Sequence, residues 1–313
     1  MIVQTNRLDT FTNDELLQLQ DQDLMDHARQ ALKHLNHQWE NEVKPLFVEN
    51  FIVKQLLQSK KRKSTRLNHE CFTFASFHKY CTIASSRSLI LNHTKHLTPM
   101  ADMVNYAPHQ TNVNHNFSDF HALQPCSHRP GTCIVGRADR TTLPFQQVYE
   151  DYGGSLDNSV YLEQFGFVPF NNPHHCALLR FSQQHPQICL KADGSLTTKN
   201  AQTFVSMLAL DKLSSEDVKR QECMKILQHQ SSCPHLDTQP ILVEAAKFTL
   251  EAFPTTLQHD LELLHNNRHH NTPQWRLALE FRIQEKALLN NFILHVDKEA
   301  IMKDNVHATI YHD

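Results

Sequence analysis

Five side chains with chemical capacity stand in the middle of the chain: Arg87, Asp102, Asn105, Tyr106 and Tyr152. Three of them come from one stretch, "LTPMADMVNYAPH" (Leu97–His109), which is apolar at first and then carries a carboxylate, an amide and a phenol. Pro108 stops any continuing helix there. A guanidinium, a carboxylate, an amide and two phenols supply charge pairing and hydrogen bonding in both directions. Each also has an ordinary structural role. Arg87 can close a helix C-terminus, where the dipole favours a cation. Asp102 and Asn105 are turn formers, and Tyr152 suits a half-buried strand. Residue types alone leave the function open.

The rest of the chain removes several chemistries. There is no GxSxG, no phosphate-binding loop and no GxGxxG. No cysteine stands beside a histidine base in a recognisable motif. The 23 histidines invite a metal, and Cys126, His128 and Cys133 lie close together with His115 and His121 upstream. Zinc spacings come as two tight pairs, which are missing here, so no metal site is expected. The histidines read as a compositional habit, since they also occupy ordinary helices such as "MDHARQALKHLNHQ". A net charge of −3 argues against a nucleic-acid partner. No apolar run reaches the length of about 18 residues that a membrane span needs, and the first twenty residues lack the plan of a signal peptide. The eight cysteines form no CxxC pair; reduced thiols and a cytoplasmic or nuclear location are the expectation. "SKKRKSTR" (Ser59–Arg66) reads as a solvated basic loop rather than a nuclear import signal.

The elements that must position the central residues follow from caps and periodicity. Thr12 and Glu15 form a capping box, with Phe11 and Leu16 as a hydrophobic staple. A helix from about Asp23 to Glu42 carries Leu24, Ala28, Ala31, Leu35 and Trp39 on one face. Thr73 caps another that runs to about Arg87, with Phe72 stapling to Phe77. Then the texture changes: "TCIVGRADR", "QQVYEDYG" and "CALLRF" read as short strands. Between the last two, a short helix begins near Asp157 and ends before Gly166. From about Ala201 the chain is helical again. It closes on a long helix with Thr272 as cap, Pro273 at its first position, and Leu277, Phe281, Leu288 and Phe292 on one face.

The arrangement of these pieces resembles the SET-domain methyltransferases of the Rubisco large-subunit methyltransferase and actin-histidine methyltransferase class. The pieces are Ser86-Arg87, "LTPMADMVNY", "FQQVYEDYGG" and "LEQFGFVPFNN", in family order. "WRLALEFRIQEKALLNNFI" resembles that class's helical substrate-binding domain, and "FTNDELLQLQDQDLMDHARQ" resembles its helical insertion. The resemblance implies an α+β fold: a small β-rich SET core with a helical insertion, followed by a mainly α-helical substrate-binding domain. It divides the chain into a SET domain at 1–172 (insertion 1–95, core 96–172) and a helical domain at 173–313.

The same resemblance implies S-adenosyl-L-methionine as cofactor and a protein substrate, methylated on lysine, by a monomer with no nucleic-acid or membrane partner. Arg87 would hold the cofactor carboxylate, a contact suited to a bidentate guanidinium. Asn105 would hold the cofactor through backbone and side chain, with Asp102 on the same rim and Tyr106 beside it. Phe167 would pack on the adenine or close the lysine channel. Tyr152 is the implied catalytic residue, its hydroxyl near the transferring methyl. Three departures qualify the match. Tyr106 replaces the usual histidine, Phe165 of the substrate channel replaces the second tyrosine, and the N-terminal strands with their GxG turn are missing, as in a truncated form. The alternatives are a catalytically inactive protein-binding module and a protein-histidine methyltransferase.

Overall fold

A computed structural model divides the chain into two compact units: Met1–Leu17 with Asp21–Pro169, and Gln18–Gln20 with Phe170–Asp313. The structure describes residues 6–49, 73–91, 94–98, 105–106, 121–126, 132–136, 143–145, 149–150, 152, 156–170, 172–181, 188–212, 218–227, 233, 236–266 and 272–310. Asp102, His115, His128, Phe72 and the basic stretch Ser59–Arg66 lie outside them. The architecture is α+β.

The first unit begins with a 3-10 turn, Leu8–Thr10, and helix α1, Asn13–Leu17. Its start is the expected capping box: the Thr12 amide donates to Glu15 Oε2 at 2.8 Å, and the Glu15 amide donates to Thr12 Oγ1 at 3.3 Å. Helix α2, Gln22–Gln38, is capped by Asp21, whose carboxylate accepts from the Leu24 amide at 3.0 Å. The chain then widens into a π turn, Trp39–Val43, and continues as α3, Lys44–Glu49. Trp39 at the head of that turn is buried and packs at 5.5 Å on Phe77. Phe77 belongs to α4, Phe74–Ser86, which Thr73 caps as expected through the Ser76 amide at 3.2 Å.

A set of short strands follows in the same unit. β1 (Ser88–Leu91) pairs antiparallel with β2 (Thr94–Leu97). β4 (His121–Pro125) pairs antiparallel with β5 (Thr132–Gly136). Between these in sequence, β3 (Asn105–Tyr106) pairs in parallel with β6 (Tyr149–Glu150), so Asn105 faces Tyr149 and Tyr106 faces Glu150. Helix α5, Asn158–Gln164, closes the unit, with Asp157 as its cap accepting from the Ser159 amide at 2.7 Å.

The second unit is mainly helical around one hairpin. β7 (Cys176–Leu179) and β8 (Ile188–Lys191) pair antiparallel. Among the described residues five helices follow: α6 (Lys199–Asp211), α7 (Val218–Leu227), α8 (Gln239–Glu251), α9 (Leu257–Asn266) and α10 (Pro273–Ile310). Ala177, Leu179, Ile188 and Leu190 of the hairpin join Val205, Ala246, Leu289 and Phe292 in one apolar core. Thr272 caps α10 through the Trp275 amide at 3.1 Å, and Phe281, Leu288 and Phe292 are buried on the face that their spacing predicts.

The cysteines require a correction. Instead of reduced thiols, the structure pairs Cys126 with Cys133, Cys176 with Cys189 and Cys223 with Cys233. The first staples β4 to β5 and the second staples β7 to β8, each linking strands already held together by backbone hydrogen bonds. No CxxC spacing announces them, because the hairpins bring the partners together only after pairing. Among the described residues Cys81 is free. A thiol titration in denaturant without reductant should therefore find no more than Cys71 and Cys81, and all eight cysteines after reduction. Eight reactive thiols before reduction would contradict the pairing.

Candidate active site

The site is built around helix α5 and the turn that ends it. The helix stops where Phe165 takes the C-cap position and the Gly166 amide donates back to the Tyr161 carbonyl at 3.0 Å. Gly166 adopts φ +76°, a left-handed backbone that side chains with a Cβ disfavour. A Cβ here would also lie 2.7 Å from the Asn6 carbonyl carbon and 2.8 Å from the Arg7 amide nitrogen. Only glycine lets the chain turn this close to the N-terminal backbone, and the turn sends Phe165 and Phe167 to their places.

Those places are in an aromatic cluster. Tyr152 lies 4.9 Å from Phe165 and 5.6 Å from Tyr106, ring centre to ring centre. Tyr106 lies 5.1 Å from Phe167. Behind them stands Tyr161, 5.0 Å from Tyr106 and 5.3 Å from Phe167. The rings meet at tilted angles, the arrangement their quadrupoles favour. Tyr161 is 2 % exposed, whereas Tyr106, Tyr152, Phe165 and Phe167 stay half-buried. The cluster thus has a closed back and an accessible front.

Four of the predicted site residues therefore come together: Tyr106, Tyr152, Phe165 and Phe167. Arg87 stands at the C-cap of α4, half-buried, its amide bonded to the last carbonyls of the helix at Ala84 and Ser85. Asn105 enters as strand backbone beside Tyr106. Tyr161 is the participant that sequence reasoning missed. It sits in the stretch "DNSVYLEQFGF", four residues before Phe165, and that one-turn spacing on a helix was the available signal.

α4 also carries a charge lock. Asp9, buried at 5 % exposure, meets His78 Nε2 at 3.4 Å and Arg7 Nε at 3.4 Å, and Thr82 Oγ1 donates to it at 3.3 Å. Burial opposes its ionisation, but the close approach of His78, the Arg7 charge and the Thr82 hydroxyl prevail and hold the carboxyl below its usual range. The neighbouring Cys81 thiol is pushed up, first by burial and then by the Asp9 charge, which leaves it a poor nucleophile. No group of three or more metal-binding side chains occurs among the described residues, and two of the zinc candidates, Cys126 and Cys133, are joined to each other. No helix among the described residues is long and apolar enough to cross a membrane.

Comparison with known proteins finds a family match within the second unit. Residues 179–289 match the Rubisco LSMT substrate-binding family. The solved structures extend the likeness in fold to nearly the whole chain. A structure of the SET domain of LSMT bound to lysine and AdoHcy superposes with a TM-score of 0.54 at 17% identity, over 96% of this chain and 70% of that one. Rubisco LSMT bound to sinefungin and monomethyllysine gives 0.55 at 17% identity with the same coverages. Rubisco LSMT bound to AdoMet gives 0.55 at 16% identity, again over 96% and 70%. No curated protein sequence matches the chain.

The substrate-binding match covers β7's last residue through most of α10's first half, and the aromatic cluster belongs to the other unit. The cluster's half-exposed rings suit a cationic or flat aromatic ligand, because an aromatic face attracts a positive charge and stacks on a base.

Proposed function

We propose that the chain is an S-adenosyl-L-methionine-dependent protein methyltransferase whose acceptor is a lysine side chain. The observation that carries this reading is the convergence of Tyr106, Tyr152, Phe165 and Phe167, spread over sixty residues of sequence, on one half-open aromatic wall. The fold shared with LSMT structures bound to lysine and to AdoMet supports it.

The aromatic wall tests whether such a cofactor fits, and the fit is chemical. Phe167 and Tyr106 offer faces for the adenine, the Asn105 strand offers backbone groups, and Arg87 offers a fork for the carboxylate. When bound, S-adenosyl-L-methionine supplies a methyl already activated on a sulfonium. The chain's own task is then placement. The Tyr152 hydroxyl accepts or donates a hydrogen bond to the acceptor nitrogen and fixes its direction. Phe165 packs on Tyr152 and narrows the channel to that nitrogen. A lysine entering between these rings loses water, and loss of water lowers an ammonium's pKa, so the amine arrives neutral and nucleophilic.

Phe165 in place of the family's second tyrosine and Tyr106 in place of its histidine favour a second reading, a protein-binding module that has lost catalysis. Calorimetry with S-adenosyl-L-methionine separates the two. The purified chain should bind with a Kd of about a micromolar, near −8 kcal/mol, and Arg87→Ala should abolish the heat. A folded wild-type chain with no heat would remove the enzymatic reading and leave the module.

A further inference from the structure

The second unit carries a groove between α8 and α10 that the reading above does not use. It encloses about 750 Å³. Val243 and Phe248 of α8 and Val296 of α10 supply apolar lining, and Phe248 remains 43 % exposed. Beside them stand Asp237, Glu244, Glu251 and Asp297, with Lys247 as the one lining cation among the described residues. Glu244 is partly answered by Lys212 at the C-cap of α6, so the other three carboxylates set the sign of the opening. Glu251 of α8 and Asp297 of α10 bring carboxylates to the groove from both helices.

We infer that this groove docks a basic amphipathic helix of the protein substrate. An apolar stripe on such a helix, at i, i+3 and i+4, would cover Val243, Phe248 and Val296. Lysines and arginines flanking the stripe would meet Glu251, Asp297 and Asp237. An acidic or neutral helix would leave those carboxylates partly desolvated and unanswered, which costs free energy rather than supplying it. The inference rests on the reading of the chain as a protein methyltransferase, and it names a docking element apart from the aromatic cluster. Protein methylation sites in basic segments fit it chemically, because the same lysine-rich stretch that bears an acceptor also bears the charges that the groove asks for.

The test uses the full chain and a fluorescein-labelled amphipathic peptide of leucine and lysine, about four helical turns long, read by fluorescence anisotropy. The wild type should bind it, and a matched leucine–glutamate peptide should not bind. Phe248→Ser and Glu251→Lys should each weaken binding about tenfold or more, equivalent to 1.4 kcal/mol. Glu222→Lys, on the exposed side of α7 outside the groove, should leave binding unchanged. Circular dichroism melts establish that each variant is folded. No binding by the wild type, or equal weakening by Glu222→Lys, overturns the groove. Running cofactor calorimetry in parallel separates the two claims. Cofactor binding without peptide binding removes the groove alone, and groove-dependent peptide binding without cofactor binding removes the enzymatic reading alone.

Discussion

Tyr152→Phe is expected to reduce methyl transfer by about 10²–10⁴-fold, the range of a positioned catalytic group, while leaving cofactor affinity nearly unchanged. The substitution removes one oxygen and keeps the ring. The packing of residue 152 on Phe165 at 4.9 Å and on Tyr106 at 5.6 Å is a matter of ring faces and survives. What disappears is the hydrogen bond that, in the proposed reaction, would direct the acceptor nitrogen at the methyl, and misdirection by a fraction of an ångström is costly in a displacement that must be in line. The measurement is transfer of a radiolabelled methyl to polylysine or another acceptor that the wild type methylates, with calorimetry alongside. A split between a large loss in kcat and a constant cofactor Kd assigns the hydroxyl to the chemical step. Equal turnover in the two proteins would remove Tyr152 from the catalytic role.

Local signals carried a good part of this fold. The capping residues Thr12, Thr73, Asp157 and Thr272 each start a helix where the sequence places one, because a cap needs only its own next three residues. The long amphipathic face of α10 was equally legible, since Phe281, Leu288 and Phe292 repeat at helical spacing. Helix α9 was not read, as "LQHDLELLHN" carries Asp260 on its buried side. The strand pair β1–β2 follows directly on α4 with no turn residue to separate them, so a four-residue strand like "SLIL" passes for the end of a helix. The site shows the same division. Family order brought Tyr106, Tyr152, Phe165 and Phe167 forward together. Tyr161 stayed hidden because its partner Tyr106 lies on a distant strand, and no local pattern encodes that meeting. The three disulfides also depend on closure of the fold rather than on spacing.

The least legible feature has the largest expected effect on stability. Asp260, Arg282 and Lys286 are essentially excluded from solvent, with side-chain exposures of 0 %, 1 % and 1 %. The Arg282 Nη2 donates to Asp260 Oδ1 at 2.8 Å, and Lys286 Nζ donates to Oδ2 at 2.6 Å. Thr255 Oγ1 adds a third donor at 2.7 Å. Arg282 Nη1 also donates to the Gln18 carbonyl at 2.7 Å, and Lys286 Nζ to Gln20 Oε1 and the Thr255 carbonyl at 3.0 and 2.8 Å. Lys286 also sits 4.7 Å above the Phe253 ring.

Two buried cations thus share one carboxylate, and Asp260→Asn leaves both uncompensated. The expected loss is about 3–5 kcal/mol of unfolding free energy, the range for breaking a buried ion pair from one side. Denaturant titration measures it, and a loss under about 1 kcal/mol would show that the amide alone can hold the network. Acidity supplies an independent check. Burial opposes Asp260's ionisation, but hydrogen bonds from Lys286, Thr255 and Arg282 outweigh it and hold the carboxyl below its usual range. A carboxyl lowered in the folded state stabilises the fold above its unfolded value of about 3.9. That contribution fades as pH falls through the lowered folded value. On the acid side, the gap between wild type and Asp260→Asn should therefore be full at neutral pH and narrow below about pH 4. Lys286 runs the other way along the scale. Burial lowers its ammonium pKa more than Asp260 raises it, so its charged form costs stability at neutral pH, and the cost recedes as pH rises toward its unfolded value of about 10.4. Without Asp260 the ammonium loses its counter-charge, so Asp260→Asn should regain part of its lost stability on the alkaline side, where the wild type gains less.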